Sequence, residues 1–134
     1  MSLAHVAQKA VILRADGKIL ALRRSATDPH RPLGWDMPGG EVEFGEDLRE
    51  SIRREVREES GIEVSDLVLL TAIGYVSKKG EYRVSIGYRA RVPQDTAVLL
   101  SSEHDRYEWL SREEFLTRDS TDRIKQFLMG TIVG

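Results

Sequence analysis

The chain has no cysteine, which excludes disulfides, thiolate metal sites and a cysteine nucleophile. That absence fits a reducing compartment. The opening Met1-Ser2-Leu3-Ala4-His5 lacks the basic start and apolar stretch of a secretory signal, so a cytoplasmic protein is expected. No apolar run reaches the roughly 20 residues of a membrane-spanning helix. Positive charge is also short: 20 Lys and Arg stand against 22 Asp and Glu, a net charge of −2. Proteins that grip nucleic acid through its phosphates usually carry a basic surplus, so a nucleic-acid partner is not expected. An anionic ligand would instead be met by a bound cation or by a few placed arginines. Repeats, linkers and low-complexity tracts are missing too. What is present, 40% hydrophobic and 31% charged residues in 134, is the make-up of one globular domain over residues 1–134 with room for a core.

Apolar-rich runs at Gln8 to Arg14 and Lys18 to Leu22 flank Ala15-Asp16-Gly17, and Asp-Gly between such runs predicts a hairpin. Pro29, Pro32 and Gly34 make residues 25–34 a loop. A short strand at Trp35-Asp36-Met37 runs into Pro38-Gly39-Gly40. Helical periodicity covers Glu46 to Ser60 and stops at Gly61. Val64 to Val76 reads as a strand, turned back by Lys78-Lys79-Gly80. Tyr82, Val84, Ile86, Tyr88 and Ala90 then alternate with Arg83, Ser85, Gly87, Arg89 and Arg91, the period of a half-buried strand. After a loop at residues 93–102, Tyr107 to Leu110 is a short strand. A last helix is expected to start at Asp119 or Ser120, with Ile124, Phe127 and Leu128 on one side. Strands interleaved with two helices predict an α/β fold in which helices sandwich a mixed sheet.

The chemistry is concentrated in residues 40–62, GEVEFGEDLRESIRREVREESGI. On a helical wheel of about 100° per residue with Glu46 at zero, Leu48, Ile52 and Val56 fall at roughly 200° to 280° and mark the core side. Glu46, Glu50, Arg49, Arg53 and Arg57 fall on the opposite, solvated side. Glu55 and Glu59 do not: at roughly 180° and 220° they sit at the apolar edge, with Glu58 following at about 120°. Burying carboxylates is costly without compensation. Glu55, Glu58 and Glu59 stand at i, i+3 and i+4 and can converge on one point, where like charges need a cation between them. All-oxygen ligation suits Mg²⁺, with Mn²⁺ able to substitute, rather than zinc. Gly39 and Gly40 let backbone approach a pyrophosphate and a metal, and a helix opening at Gly45 or Glu46 presents an anion-favouring N-terminus.

Gly40, Glu46, Arg54, Glu55, Val56, Glu58, Glu59, Gly61 and Ile62 match position for position the Nudix box: Gly, five residues, Glu, seven residues, Arg-Glu, an aliphatic, any residue, Glu-Glu, any residue, Gly, an aliphatic. The chain thus resembles the Nudix hydrolases, mutator-type members in particular. The resemblance implies an α/β/α sandwich, a Mg²⁺-dependent hydrolase of phosphoanhydride bonds in nucleoside-diphosphate-X substrates, and metal ligation by Glu55, Glu58, Glu59 and the Gly40 carbonyl. It implies that Arg54 orients Glu55. Within Ser102 to Leu110, Glu103 is the chosen further ligand or general base, with Glu108 and His104 as rivals. Arg24, ending the second strand, and Gly39 are the expected substrate contacts, although charged strand ends are also common on inert surfaces. Trp35 and Trp109 read as core or pocket wall.

The proline of ADP-ribose hydrolases is missing, since Val76 holds its place, and the coenzyme A and NADH signatures are absent. The preferred substrate is therefore a nucleoside triphosphate, ordinary, oxidised or otherwise non-standard, cut to a monophosphate and pyrophosphate. Dihydroneopterin triphosphate and a sugar nucleotide are the alternatives. A non-catalytic Nudix-like sensor is the rival from another class, and would lack metal ligands that this chain has. A homodimer is compatible with the sequence.

Overall fold

The computed structural model describes residues 3–129; Met1, Ser2 and residues 130–134 of the single domain expected over 1–134 lie outside them. Among the described residues ten elements follow one another: β1 (Ala4–Arg14), β2 (Ile19–Arg24), β3 (Trp35–Asp36), β4 (Gly39–Glu41), α1 (Leu48–Ser60), β5 (Val68–Val76), β6 (Tyr82–Val92), β7 (His104–Leu110), α2 (Arg112–Leu116) and α3 (Asp122–Met129). The seven strands form one mixed sheet in which β1 and β6 run parallel and the other pairs antiparallel.

Alternation along β1 explains the layers. Ala10 and Ile12 face α1, where Ile52, Val56, Ile62 and Leu67 close a buried cluster. Val11 and Leu13 face the other way, onto Phe115, Ile124, Phe127 and Leu128 from α2 and α3. The expected α/β/α sandwich is therefore present. Each fully buried Phe or Ile contributes roughly 1.5–3 kcal/mol of transfer free energy, so both faces hold the sheet. β6 is more covered than its alternation suggested. Ser85 and Gly87 are buried, and a Cβ at Gly87 would lie 2.6 Å from the Phe127 ring.

The feature that builds the site is a fork. β1 and β2 pair only beside their hairpin, at Leu13 and Ile19. Beyond it they splay, and residues 35–41 fill the gap: β3 pairs with Leu22 and Arg23 of β2, while β4 pairs with Ala7, Gln8 and Lys9 of β1. The Pro38 carbonyl accepts the Ala10 N–H at 2.9 Å. Pairing within the fork makes Gly39–Glu41 a strand, directly after Pro38.

Several boundaries differ from expectation. α1 opens at Leu48, not at Gly45 or Glu46, because the Asp47 carboxylate caps the Glu50 N–H at 3.0 Å. Glu46 instead closes a turn onto Glu43. Leu48 is 42% exposed rather than core-facing, since it sits in the first turn while Ile52 and Val56 lie over the sheet. The helix ends at Gly61 as expected, with φ +73° and its N–H on the Arg57 carbonyl. Strand pairing begins at Val68; Val64 and Leu67 are buried by the crossover itself. β7 starts earlier than Tyr107, at His104, because it pairs along the whole of β2. α2 is a helix beyond the two expected, started by the capping box of Ser111 and Glu114. α3 starts after Thr121, whose hydroxyl accepts the Ile124 N–H.

Candidate active site

The two glycines of β4 do different work. Gly39, at φ +152°, lies against the backbone of Gln8, and any side chain would overlap the Gln8 carbonyl. Gly40 faces α1, where a Cβ would be 3.0 Å from the Glu55 carboxylate. The Gly39 N–H donates to Glu59 Oε1 at 3.4 Å. The fork therefore carries backbone directly under two carboxylates of the helix.

Glu59 is only 5% exposed. Burial pushes its carboxyl up to about 9, against the attraction of the Lys9 ammonium and with help from the Glu55 and Asp36 carboxylates. In the protein alone Glu59 thus keeps a proton at neutral pH. A divalent cation is the compensator that would let Glu59 ionise beside Glu55, and carboxylate and main-chain carbonyl oxygens are donors that suit such an ion. Glu58 does not join them. Its side chain is 54% exposed and pairs with Arg54 at 3.3 Å. Among the described residues no three acidic, His or Cys side chains are in place to hold an ion.

Arg54 is a node rather than a partner of Glu55 alone. Its guanidinium reaches Glu46 at 2.8 Å, Glu58 at 3.3 Å and Glu55 at 3.4 Å. Glu46, assigned from the wheel to the solvated face, is drawn in because it precedes the helix.

Across the fork lies a charge cluster that sequence reading missed. Asp36 is 1% exposed, with Lys9 Nζ at 3.1 Å and Arg24 Nη2 at 2.8 Å. Burial alone would raise its pKa, but Lys9 and Arg24 overcome that and hold it below the usual carboxylate range. The available signal was a single charge, Lys9, inside the apolar run of β1. Arg24 turns its Nη1 to Asp28 at 3.2 Å, so the expected substrate contact is first an internal ion pair. It still lines a cleft of about 900 Å³ between the sheet and α3, together with Lys9, Asp36, Gly40, Lys78 and Arg123. Arg123 lies over the Tyr75 ring at 4.4 Å.

The Ser102–Leu110 segment divides. Glu103 is exposed in the turn ahead of β7, and its carbonyl accepts the Ser25 N–H. His104 is buried with Nδ1 unpartnered among the described residues; burial lowers its pKa against the pull of Asp36. Glu108 is gripped by Arg106 at 2.6 Å and Arg118 at 2.7 Å. Trp35 is core, under the Arg118 guanidinium, and Trp109 packs at the edge of the α1-side cluster.

Comparison with known proteins agrees with this architecture. The CTP pyrophosphohydrolase of Escherichia coli (strain K12) is 36% identical over 110 residues, covering 80% of this chain and 76% of the relative. The asymmetrical bis(5'-nucleosyl)-tetraphosphatase of Rattus norvegicus is 36% identical over 84 residues, 60% of this chain, and the match spans 57% of that relative's length. A MutT protein from Methanosarcina mazei Go1 superposes with a TM-score of 0.82 at 27% identity, covering 96% of this chain and 92% of the other. Such relatives support an enzyme acting on phosphoanhydride bonds. The model of the NUDIX domain matches residues 3–129, nearly the whole chain, and the chain belongs to that family.

Proposed function

We propose that the chain is a Mg²⁺-dependent nucleotide pyrophosphohydrolase, with Mn²⁺ able to substitute, whose best substrate is a nucleoside triphosphate. One observation carries the reading: Gly40, which lines the cleft, also faces the Glu55 carboxylate, so the edge of the ligand space abuts the box glutamates, which do not themselves line it. Glu55, Glu58, Glu59 and the Gly40 carbonyl would hold the ion, with Glu103 as a further ligand or the base. The ion supplies charge neutralisation and a more acidic water.

The chain's own groups do the rest. Arg54 holds Glu55 and Glu58 in place, and Glu58 would have to exchange Arg54 for the ion to serve as its ligand. Gly39 brings main chain close to the phosphates. Arg24, with one face on the cleft, contacts the phosphate chain, and Glu103 takes the proton of the attacking water. The water oxygen bonds to an internal phosphorus, the bridging P–O bond breaks, and pyrophosphate leaves beside a nucleoside monophosphate. The partner is a small nucleotide rather than a nucleic acid, in keeping with the net charge of −2.

The test is a panel of ordinary and oxidised nucleoside triphosphates, dihydroneopterin triphosphate, dinucleoside tetraphosphates and sugar nucleotides, with and without Mg²⁺. Hydrolysis of the best triphosphate in ¹⁸O-labelled water identifies the phosphorus attacked. Nucleoside diphosphate with inorganic phosphate as primary products would refute the cleavage mode, and turnover unchanged by chelator would refute the metal.

A further inference from the structure

Gln8 lies in the middle of β1 and is 1% exposed, on the same face as the apolar Ala10 and Ile12. A Leu or Met there would pack without the desolvation cost of a buried amide, so the amide's partners carry the explanation. Its Nε2 donates to the carbonyl of Leu48, the first residue of α1, at 2.9 Å. Its Oε1 accepts the Tyr88 hydroxyl from β6 at 2.7 Å. Tyr88 is itself buried, and Arg49 of α1 lies over its ring at 5.7 Å. The Gln8 main chain, meanwhile, pairs with β4: it is in register with Gly40, and its carbonyl sits under Gly39.

One residue therefore grips both halves of the candidate site, β4 through its backbone and the start of α1 through its side chain. The gap between those halves decides whether Glu55 stays against Gly40 and Glu59 against the Gly39 N–H. We propose that Gln8 and Tyr88 are positioning residues that fix the height of α1 over β4, and so hold Glu55 and Glu59 where a divalent cation can be shared with the Gly40 carbonyl. This rests on the metal-dependent reading above. It assigns a role to two buried polar side chains that touch neither the ion nor the substrate.

The test separates positioning from plain stability. Tyr88→Phe removes the hydroxyl and leaves Gln8 Oε1 without its donor; Gln8→Met/Tyr88→Phe removes both polar groups, a change that can be nearly neutral for folding. In the full chain, Tyr88→Phe is expected to lower the Tm. It should also weaken Mn²⁺ binding and kcat about tenfold, the range over which residues that hold ligands from outside act. The double variant is expected to recover the Tm while Mn²⁺ affinity and kcat stay low, because the tie between β1 and α1 is gone. Recovery of Mn²⁺ affinity and kcat along with the Tm would overturn the proposal. Amide hydrogen exchange of the metal-free protein gives an independent reading. Faster exchange at Gly39 and over residues 51–55 in the double variant supports the tie, and unchanged exchange overturns it. If the wild-type protein bound no Mn²⁺, the metal-dependent reading would fail, and the exchange result alone would decide whether Gln8 and Tyr88 set the height of α1.

Discussion

Gly40 and Glu55 face each other with room for a hydrogen and not for a methyl group: a Cβ on residue 40 would stand 3.0 Å from the Glu55 carboxylate. The obstacle is the end of a flexible side chain that need give only a few tenths of an ångström, so Gly40→Ala is expected to fold and to lose about tenfold in kcat, less than the roughly 100-fold of a full ångström's misplacement at a reacting centre. Gly39→Ala meets the rigid Gln8 backbone at φ +152° and is expected to fail to fold or to melt far below wild type. Circular dichroism melts beside kcat measurements distinguish the two. Equal losses of Tm in both variants would contradict the division of labour between the glycines.

Glu59 ties stability to pH. Its folded pKa is raised, to about 9 from the ordinary 4.5. The native state therefore holds the proton more tightly than the unfolded chain, and this contribution is complete below about pH 4.5 and lost as pH rises through about 9. Metal-free protein should destabilise across that window, and Mg²⁺, which displaces the proton, should raise the Tm more at pH 9 than at pH 6. Glu59→Gln should flatten the dependence, raise the Tm of metal-free protein at pH 9 and abolish most turnover. Thermal melts at several pH values, with Mg²⁺ or with chelator, read all three. A Mg²⁺ shift that shrinks as pH rises would go against the assignment.

Glu103 and Glu108 are expected to fail differently. Glu108 sits between Arg106 and Arg118, so Glu108→Gln should mainly cost stability, by about 1 kcal/mol for a partly exposed network. Glu103→Gln should leave the Tm alone and reduce kcat by about 100-fold or more, as loss of a general base or ligand does. Single-variant kcat values and urea unfolding rank them. A larger kcat loss for Glu108→Gln would reverse the assignment.

Arg24 carries two duties that one variant pair separates. Arg24→Ala leaves the buried Asp36 with Lys9 and the Met37 N–H and should destabilise by about 1–3 kcal/mol. Arg24→Lys keeps the charge but not the forked grip, with Nε at 3.1 Å and Nη2 at 2.8 Å from the same Asp36 oxygen. It should recover most of the stability while KM for a triphosphate stays raised. If KM were normal in the lysine variant, Arg24 would be a structural ion pair only.

Local pattern determined what local physics controls. The Asp16-Gly17 hairpin, the α1 stop at Gly61 and the placement of Glu55 and Glu59 at the apolar edge all follow from periodicities and turn chemistry a few residues long. The family, and with it the sandwich, was equally legible from the spacing of Gly40, Arg54, Glu55, Glu58, Glu59 and Gly61. Only the tertiary structure decided how the strands diverge. The fork between β1 and β2 turned Gly39–Glu41 into a strand, set Gly40 under Glu55, and buried Asp36 between Lys9 and Arg24, residues separated by 27 and 12 positions. It also decided that Glu58 turns to Arg54 while Glu59 goes inside, and that Gln8 spans the 40 positions to Leu48. Charge and hydrogen-bond partners at such separations are fixed by the packing of whole layers, and no window of neighbouring residues contains them.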